Sequence, residues 1–499
     1  MKGRIHIMKK FLTKLLVALL LLSTVTSCGK TSDVDNLNAA DPSNMETAPE
    51  IEETAPETEE TELPDSLPEK NFAGSDVTVW GDVQAYKYFY TAELTGDIIN
   101  DAVHNRNVEV ADRFNVNLVY ELGDTDAWRD NTMAQFSASV MANAQAYDLA
   151  SGVSCYVSYG VISGALQNLN YYDYLDFTKP WWSAKINNEL TIGDRLYIAS
   201  GFFDMPSVAR THVVFFSNDM AEKYAINNLY DIVREGSWTY DTMLGMAEKV
   251  LVDMDGNGAY TEADQYGLTS QWDVLGLAYG ASGHSFTNRT EGNIAFTHYD
   301  DALIEANDML YNLMYKSNFY YSGYTKGAAH NYDNMVNVFT DNRALFFMNY
   351  ISYATDSRLR EMGNYGIIPT PKFSDKQAEY GSYSTCFVTG IPTDAPDSER
   401  SSIILEALTA ESYKDVLPAY YDIALSVKYV NDKESAEMLD IVFENTVCEF
   451  SYMFQGSWGA EIALSVGLNE NYASWYAQKM PPYSKQLADM ITDILERDY

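Results

Sequence analysis

Between Asp253 and Asp264 the chain reads Asp253-Met254-Asp255-Gly256-Asn257-Gly258-Ala259-Tyr260-Thr261-Glu262-Ala263-Asp264. Acids stand at the first, third and twelfth places, an amide at the fifth, a turn-permitting glycine at the sixth and a hydroxyl at the ninth, while Ala259 offers a backbone carbonyl at the seventh. Hard oxygen donors at alternating positions suit Ca2+, which takes about six to eight of them. The expected ligands are Asp253, Asp255, Asn257, Ala259, Thr261 and Asp264. Asp264 replaces the bidentate Glu of a sensor loop, and Gln265-Tyr266-Gly267-Leu268 reads as a loop entering a strand, not as a second helix. The expectation is therefore one structural Ca2+ site; the same residues also fit an acidic turn without metal.

Other chemistry is sparse. Cys155, Cys386 and Cys448 are far apart with no CxxC pair, so neither a disulfide scaffold nor a zinc site is indicated. The six histidines are scattered, and HExxH, GxSxG and phosphate-binding glycine loops are missing. Among 71 carboxylates an acid pair suited to glycoside hydrolysis always exists, so a glycosidase stays open. The net charge of -38 argues against nucleic acid or another strongly anionic polymer as a partner.

The elements that must hold such residues alternate. Val77 to Trp80 and Val116 to Tyr120 read as strands, with a helix from Ile98 to Phe114 between them. Trp128 to Tyr147 places Met133, Phe136, Val140, Ala144 and Tyr147 on one helical face. This order predicts parallel strands with crossover helices. The pattern resumes with a strand at Val213 to Phe216, helices at Asp241 to Val250 and Asp301 to Tyr315, and a buried run at Ala344 to Met348. Later helices are expected at Ser402 to Val416, Ser435 to Thr446 and Tyr483 to Leu495. A body of 429 residues is too long for one ordinary core. Two α/β lobes with a cleft at the carboxyl ends of their strands are expected.

The N-terminus sets the location. Lys9, Lys10 and Lys14 precede the apolar run Leu15 to Leu22, and small residues lead to Cys28. The run is too short for the roughly 20 residues that span a bilayer, so it reads as a signal peptide over residues 1–27. Val25-Thr26-Ser27-Cys28 resembles the lipobox of bacterial lipoproteins, which implies lipidation at Cys28 and a place on the extracellular face of the cell membrane, held by that lipid alone. From Gly29 to Lys70 thirteen acids stand against two lysines, with prolines at 42, 49, 56, 64 and 68. Residues 28–70 are thus expected to be a disordered acidic tether.

Several ordered fragments carry a wider resemblance: Lys179-Pro180-Trp181-Trp182; Leu190-Thr191-Ile192-Gly193 before Leu196-Tyr197; Phe215-Phe216-Ser217-Asn218; Leu229-Tyr230-Asp231 and Val233-Arg234-Glu235-Gly236-Ser237-Trp238-Thr239; Gly366-Ile367-Ile368-Pro369; and Gly390-Ile391-Pro392. Together, behind a lipobox and a tether, the chain resembles the extracellular solute-binding proteins of bacterial carbohydrate ABC importers, the maltose-binding-protein-like superfamily. The resemblance implies an α/β, two-lobed periplasmic-binding-protein type II fold with a hinge and an interlobe cleft, and a monomer that delivers a sugar to ABC permease subunits without catalysis. It implies one lobe from residues 71–212 with 370–418, and the other from 213–369 with 419–499. It places ligand groups at Trp80 and Asp82, at Arg210 and Thr211, at Gln271, Trp272 and Asp273, at Asn349 and Tyr350, and at Tyr452 and Trp458. Such pairs of aromatics and polar groups suit a sugar, whose ring offers one apolar face and an edge of hydroxyls.

The chain also departs from that pattern. Where maltose-type proteins carry a ligand-binding carboxylate seven positions before the asparagine, Thr211 precedes Asn218, which puts maltose in doubt. The insert Gly201 to Ser207 adds aromatics of its own. Trp181 and Trp182 read as structural, since tryptophans after Lys-Pro pin a loop. A surface lipoprotein that binds or cleaves polysaccharide without a transporter is the alternative function.

Overall fold

The computed structural model describes residues 65–82, 89–123, 130–204, 206–290, 293–297, 300–323, 331–420, 433–455, 458 and 461–497. Cys28, the expected signal peptide and residues 28–64 of the expected tether lie outside them. Residues 65–70, the tether's expected end, lie against the body: Asp65 pairs with Arg113 and Lys70 with Glu399.

The first sheet begins with β1 (Ser75–Gly81) and returns through α1 (Ile98–Phe114) to β2 (Val116–Leu122), which pairs parallel to it. Asp97 caps α1 by accepting the Ile99 and Asn100 N–H groups, and Asn115 in the left-handed region ends it. The face that α1 buries carries Val103, Arg106, Asn107, Val110 and Phe114, the spacing of one helical stripe. Next comes α2 (Asp130–Met141), which ends before the expected Tyr147 because Asn143 and Gln145 adopt φ of 55° and 51° and turn the chain; the expected start at Trp128 lies outside the described residues. β3 (Leu149–Val153) then adds parallel to β1, followed by α3 (Ser154–Ser163).

The second sheet comprises β4 (His212–Ser217), β5 (Tyr266–Ser270), β8 (Tyr320–Ser322), β9 (Ala344–Tyr350) and β10 (Tyr365–Pro369), in the order β10-β4-β9-β5-β8. Between β4 and β5 lies α4 (Tyr240–Lys249), and α5 (Trp272–Leu277) follows β5. A hairpin, β6 (Thr287–Thr290) and β7 (Asn293–Phe296), precedes α6 (Asp301–Tyr315), while α7 (Tyr332–Thr340) leads into β9. Every residue of β4 and β5 is buried, as expected of strands covered on both faces. β5 packs so closely on α4 that a Cβ on Gly267 would stand 2.2 Å from the Ala247 carbonyl oxygen.

Among the described residues three stretches join the sheets. The first leaves the Ala199 bridge to Thr389 and reaches β4 through Thr211; the second returns from β10 through β11 (Ser382–Tyr383) to β12 (Phe387–Gly390). β12 pairs antiparallel with β3 and completes the order β12-β3-β1-β2. Thr211 forms a bridge with Ser384, so the two crossings touch. The third runs from α9 (Lys433–Glu444), which packs on β10, through β13 (Thr446–Val447) to α10 (Phe450–Met453), which packs on α3; β13 pairs parallel with β11. Finally α11 (Tyr472–Leu495) packs on α3, α6 and β7.

As expected, Trp181 and Trp182 are structural: both are buried, and their indole N–H groups donate to the two carboxylate oxygens of Glu406 at 2.8 and 2.9 Å. Glu406 lies on α8 (Ser398–Glu411) and is fully buried, and burial pushes its carboxyl up to about 7. Among the described residues no helix is long and apolar enough to cross a membrane.

Candidate functional site

β5 and β9 are adjacent and parallel, with Ser270 opposite Met348, so their carboxyl ends open at one level. That register sets Gln271, Trp272 and Asp273 beside Asn349 and Tyr350, in the position where open α/β sheets hold ligands. Gln271 precedes α5 with an extended backbone, makes no side-chain capping bond, and donates from Nε2 to the Tyr353 hydroxyl at 3.3 Å. Trp272 and Asp273 are half-buried. Burial raises the Tyr350 phenol, the Asp273 charge adds to that rise, and Arg210 opposes it.

Arg210 comes from the first crossing. Its guanidinium lies 4.9 Å from the Tyr350 ring centroid and 5.6 Å from that of Phe387 on β12, so it stands between aromatics of the two sheets. Behind it His212 is wholly buried, with ring centroids of Tyr350 at 5.2 Å and Tyr383 at 5.6 Å. Burial, with Arg210 nearby, depresses its imidazole to about 3, so it is neutral at any ordinary pH. Tyr383 in turn meets Tyr452 edge-on at 6.2 Å. The structure thus gathers Arg210, Gln271, Trp272, Asp273 and Tyr350 in one region, with Tyr452 half-buried beyond Tyr383.

Other expected ligand residues are placed differently. Trp80 is in the core of the first sheet against Phe136 at 5.3 Å, and the Asp82 carboxylate is buried, accepting the Val153 N–H. Trp458 is 2% exposed, edge-on to Phe296 at 5.5 Å, with its indole N–H on the Ser451 carbonyl. Neither tryptophan offers a face to a ligand, because both cover apolar neighbours. Thr211 is buried in the bridge to Ser384, and the buried Asn349 turns its side chain to the Tyr350 N–H and the Met335 sulfur. In the insert, Phe203 stacks on Phe89 and Phe202 tilts against Tyr413. Sequence reasoning missed Tyr353, Phe387 and His212; proximity of Tyr353 to Tyr350 was the one usable signal.

No protein-family profile matches the sequence, and neither does any curated protein. Solved structures do match. The galacto-N-biose/lacto-N-biose I-binding protein of an ABC transporter from Bifidobacterium longum superposes with a TM-score of 0.55 at 12% identity, over 85% of this chain and 96% of that one. The GacH receptor of Streptomyces glaucescens, solved with acarbose, gives 0.51 at 16% identity over 85% and 97%. An ABC transporter solute-binding protein from Thermotoga lettingae bound to tagatose gives 0.51 at 15% identity over 85% and 100%. The chain has the two-lobed solute-binding-protein fold, periplasmic-binding-protein type II.

Within this solute-binding fold the acidic loop sits between α4 and β5, away from the region of Arg210. Carboxylate oxygens of Asp253, Asp255 and Asp264 lie within 4.8 Å of one another. Asp253 accepts the Gly256 and Gly258 N–H groups at 2.7 and 2.8 Å, and Gly258 takes φ of 80°, which the turn at this place requires. The Thr261 and Met254 N–H groups hold the buried Asp264 carboxyl below its usual range. Three converging oxygens of this hardness fit a divalent cation of the calcium type.

Proposed function

We propose that this chain is the substrate-binding component of a bacterial ABC importer and that its solute is a sugar or oligosaccharide. The observation carrying this reading is the gathering of Trp272, Asp273, Gln271 and Tyr350 at the paired carboxyl ends of β5 and β9, beside Arg210 at the lobe crossing. Aromatic faces there cover the apolar side of a sugar ring, while the carboxylate, amide and guanidinium bond its hydroxyls. The role involves no covalent chemistry: the lobes close on the solute and hand it to permease subunits. Isothermal titration with a panel of oligosaccharides tests it. A binding sugar should be recovered intact; shorter products would establish a surface glycosidase instead. Trp272→Ala should weaken binding by about 2 kcal/mol or more, as for a desolvated aromatic anchor, with the melting temperature kept.

Two further parts of the reading concern location and metal. The protein is exported, monomeric and tethered through a lipid on Cys28, and Cys28→Ala should release it from membranes or leave its precursor uncleaved. The Asp253 to Asp264 loop binds one structural Ca2+ through Asp253, Asp255, Asn257, Thr261 and Asp264 and the Ala259 carbonyl. The three converging carboxylates support that assignment.

A further inference from the structure

Two of the described stretches that join the sheets each carry a cysteine, and these cysteines meet. The β11–β13 ladder pairs Ser382 with Thr446 and Tyr383 with Val447. It runs on through the Ser384 N–H, which donates to the Val447 carbonyl at 2.8 Å. Cys448 therefore comes alongside Ser384, and its thiol donates to the Ser384 carbonyl at 3.1 Å. The Cys386 side chain lies beside it, with its own S–H directed at the Met453 sulfur at 3.3 Å. Cys386 is fully buried and Cys448 is 8% exposed. Sixty-odd residues separate them in the chain, yet only a local ladder separates them in space.

We propose that Cys386 and Cys448 are an oxidisable pair that closes to an intrachain disulfide and so ties the second interlobe stretch to the third. The oxidant is a disulfide of the glutathione class. A thiolate of the pair attacks one sulfur of RSSR and expels RS−; the second thiolate then attacks the protein sulfur of the mixed disulfide and expels the other RS−. Two protein thiols lose two protons and two electrons, and two RSH form. Burial raises the Cys448 thiol well above its ordinary value, so little thiolate exists while the stretches are packed. Oxidation proceeds from states in which they part, and its rate reports that opening. An exported protein meets oxidising surroundings, where such a pair persists as a disulfide.

The competing partner is Cys155. It follows Ser154, whose N–H donates to the Cys386 carbonyl at 2.9 Å, at the end of the β3–β12 pairing, whereas β13 pairs with β11. The test is to incubate the full chain with oxidised glutathione at graded urea concentrations below the unfolding midpoint, alkylate and map peptides. The expected result is a linked Cys386–Cys448 peptide, lighter by two hydrogens than its parts and lost on reduction, while Cys155 stays alkylatable after denaturation. Cys448→Ser should convert Cys386 to a glutathione mixed disulfide, and Cys155→Ser should leave the linked peptide unchanged. The proposal is overturned if Cys155 links to Cys386 or Cys448 as often as these link to each other, since that is the pattern of an unfolded chain. It is equally overturned if both cysteines remain fully alkylatable at every urea concentration.

Discussion

Replacing Glu406 by Gln should change how the stability of this protein depends on pH. The carboxylate accepts both indole N–H groups of Trp181 and Trp182, and burial lifts it from an ordinary 4.5 to about 7, with the nearby Asp176 charge adding to the rise. At about 1.4 kcal/mol per pH unit, ionising Glu406 inside the fold costs about 3 kcal/mol more than in the unfolded chain. The folded value is the raised one, so its contribution is complete below pH 4.5, declines as pH rises and has been lost once pH passes about 7. Glu406→Gln removes that dependence. Its amide keeps one acceptor and sets an NH2 against the other indole, a pH-independent cost of about 1–3 kcal/mol. The difference in stability between variant and parent should therefore shift by about 3 kcal/mol in the variant's favour between pH 5 and pH 8. With about 2.1 cal/mol/K of unfolding entropy per residue over Asp65–Tyr499, this is about 3 °C in melting temperature. Calorimetric melts of both proteins across that range read it directly, and the six histidines cancel in the difference. Parallel curves would refute the reasoning, because Glu406 would then ionise over the same pH range in the folded and the unfolded chain.

Gly267→Ala should destabilise by about 3 kcal/mol or more in denaturant titrations, since its Cβ meets the backbone of α4 and not a movable side chain. Saturating calcium should raise stability by about 2.7 kcal/mol at a hundredfold excess over the dissociation constant, and Asp255→Ala should abolish that gain while leaving sugar binding intact; a wild-type melt indifferent to chelator would remove the metal. Tyr350→Phe should cost sugar binding less than Tyr350→Ala in titration calorimetry, because the ring that faces Arg210 survives in the first.

Where periodicity was clear, the sequence was readable to the residue. α1 runs from Ile98 to Phe114 as expected, and Asp97 and Asn115 cap its two ends. α11 is longer than the helix expected from Tyr483, and Pro481 and Pro482 lie inside it. It begins at Tyr472: both prolines are exposed, and the carbonyls of Ala477 and Gln478, which lose their donors, belong to exposed residues that water can satisfy. In the candidate site, Gln271, Trp272, Asp273 and Tyr350 were legible only through the family resemblance, and the parallel register of β5 and β9 is what brings them together. Trp80 and Trp458 were not, because a tryptophan has the same pattern as core or as platform. Trp80 follows Val77 and Val79 on the opposite face of β1, but helices cover both faces of that sheet, so alternation no longer separates inside from outside. The contacts of Arg210 and His212 depend on the crossing geometry of two distant stretches, which no local pattern encodes.

The pairing of β12 with β3 has a consequence for the order in which the molecule can assemble. Val153 finds its partner in Phe387, which the ribosome makes only after the whole second sheet. Until then β3, buried along its length in the finished fold, presents an open edge of unpaired amides and apolar side chains. A chain released or stalled short of Phe387 would carry that edge into solution, where it can recruit a strand from another copy. The finished chain closes it late and through contacts of long sequence separation, which makes folding slow.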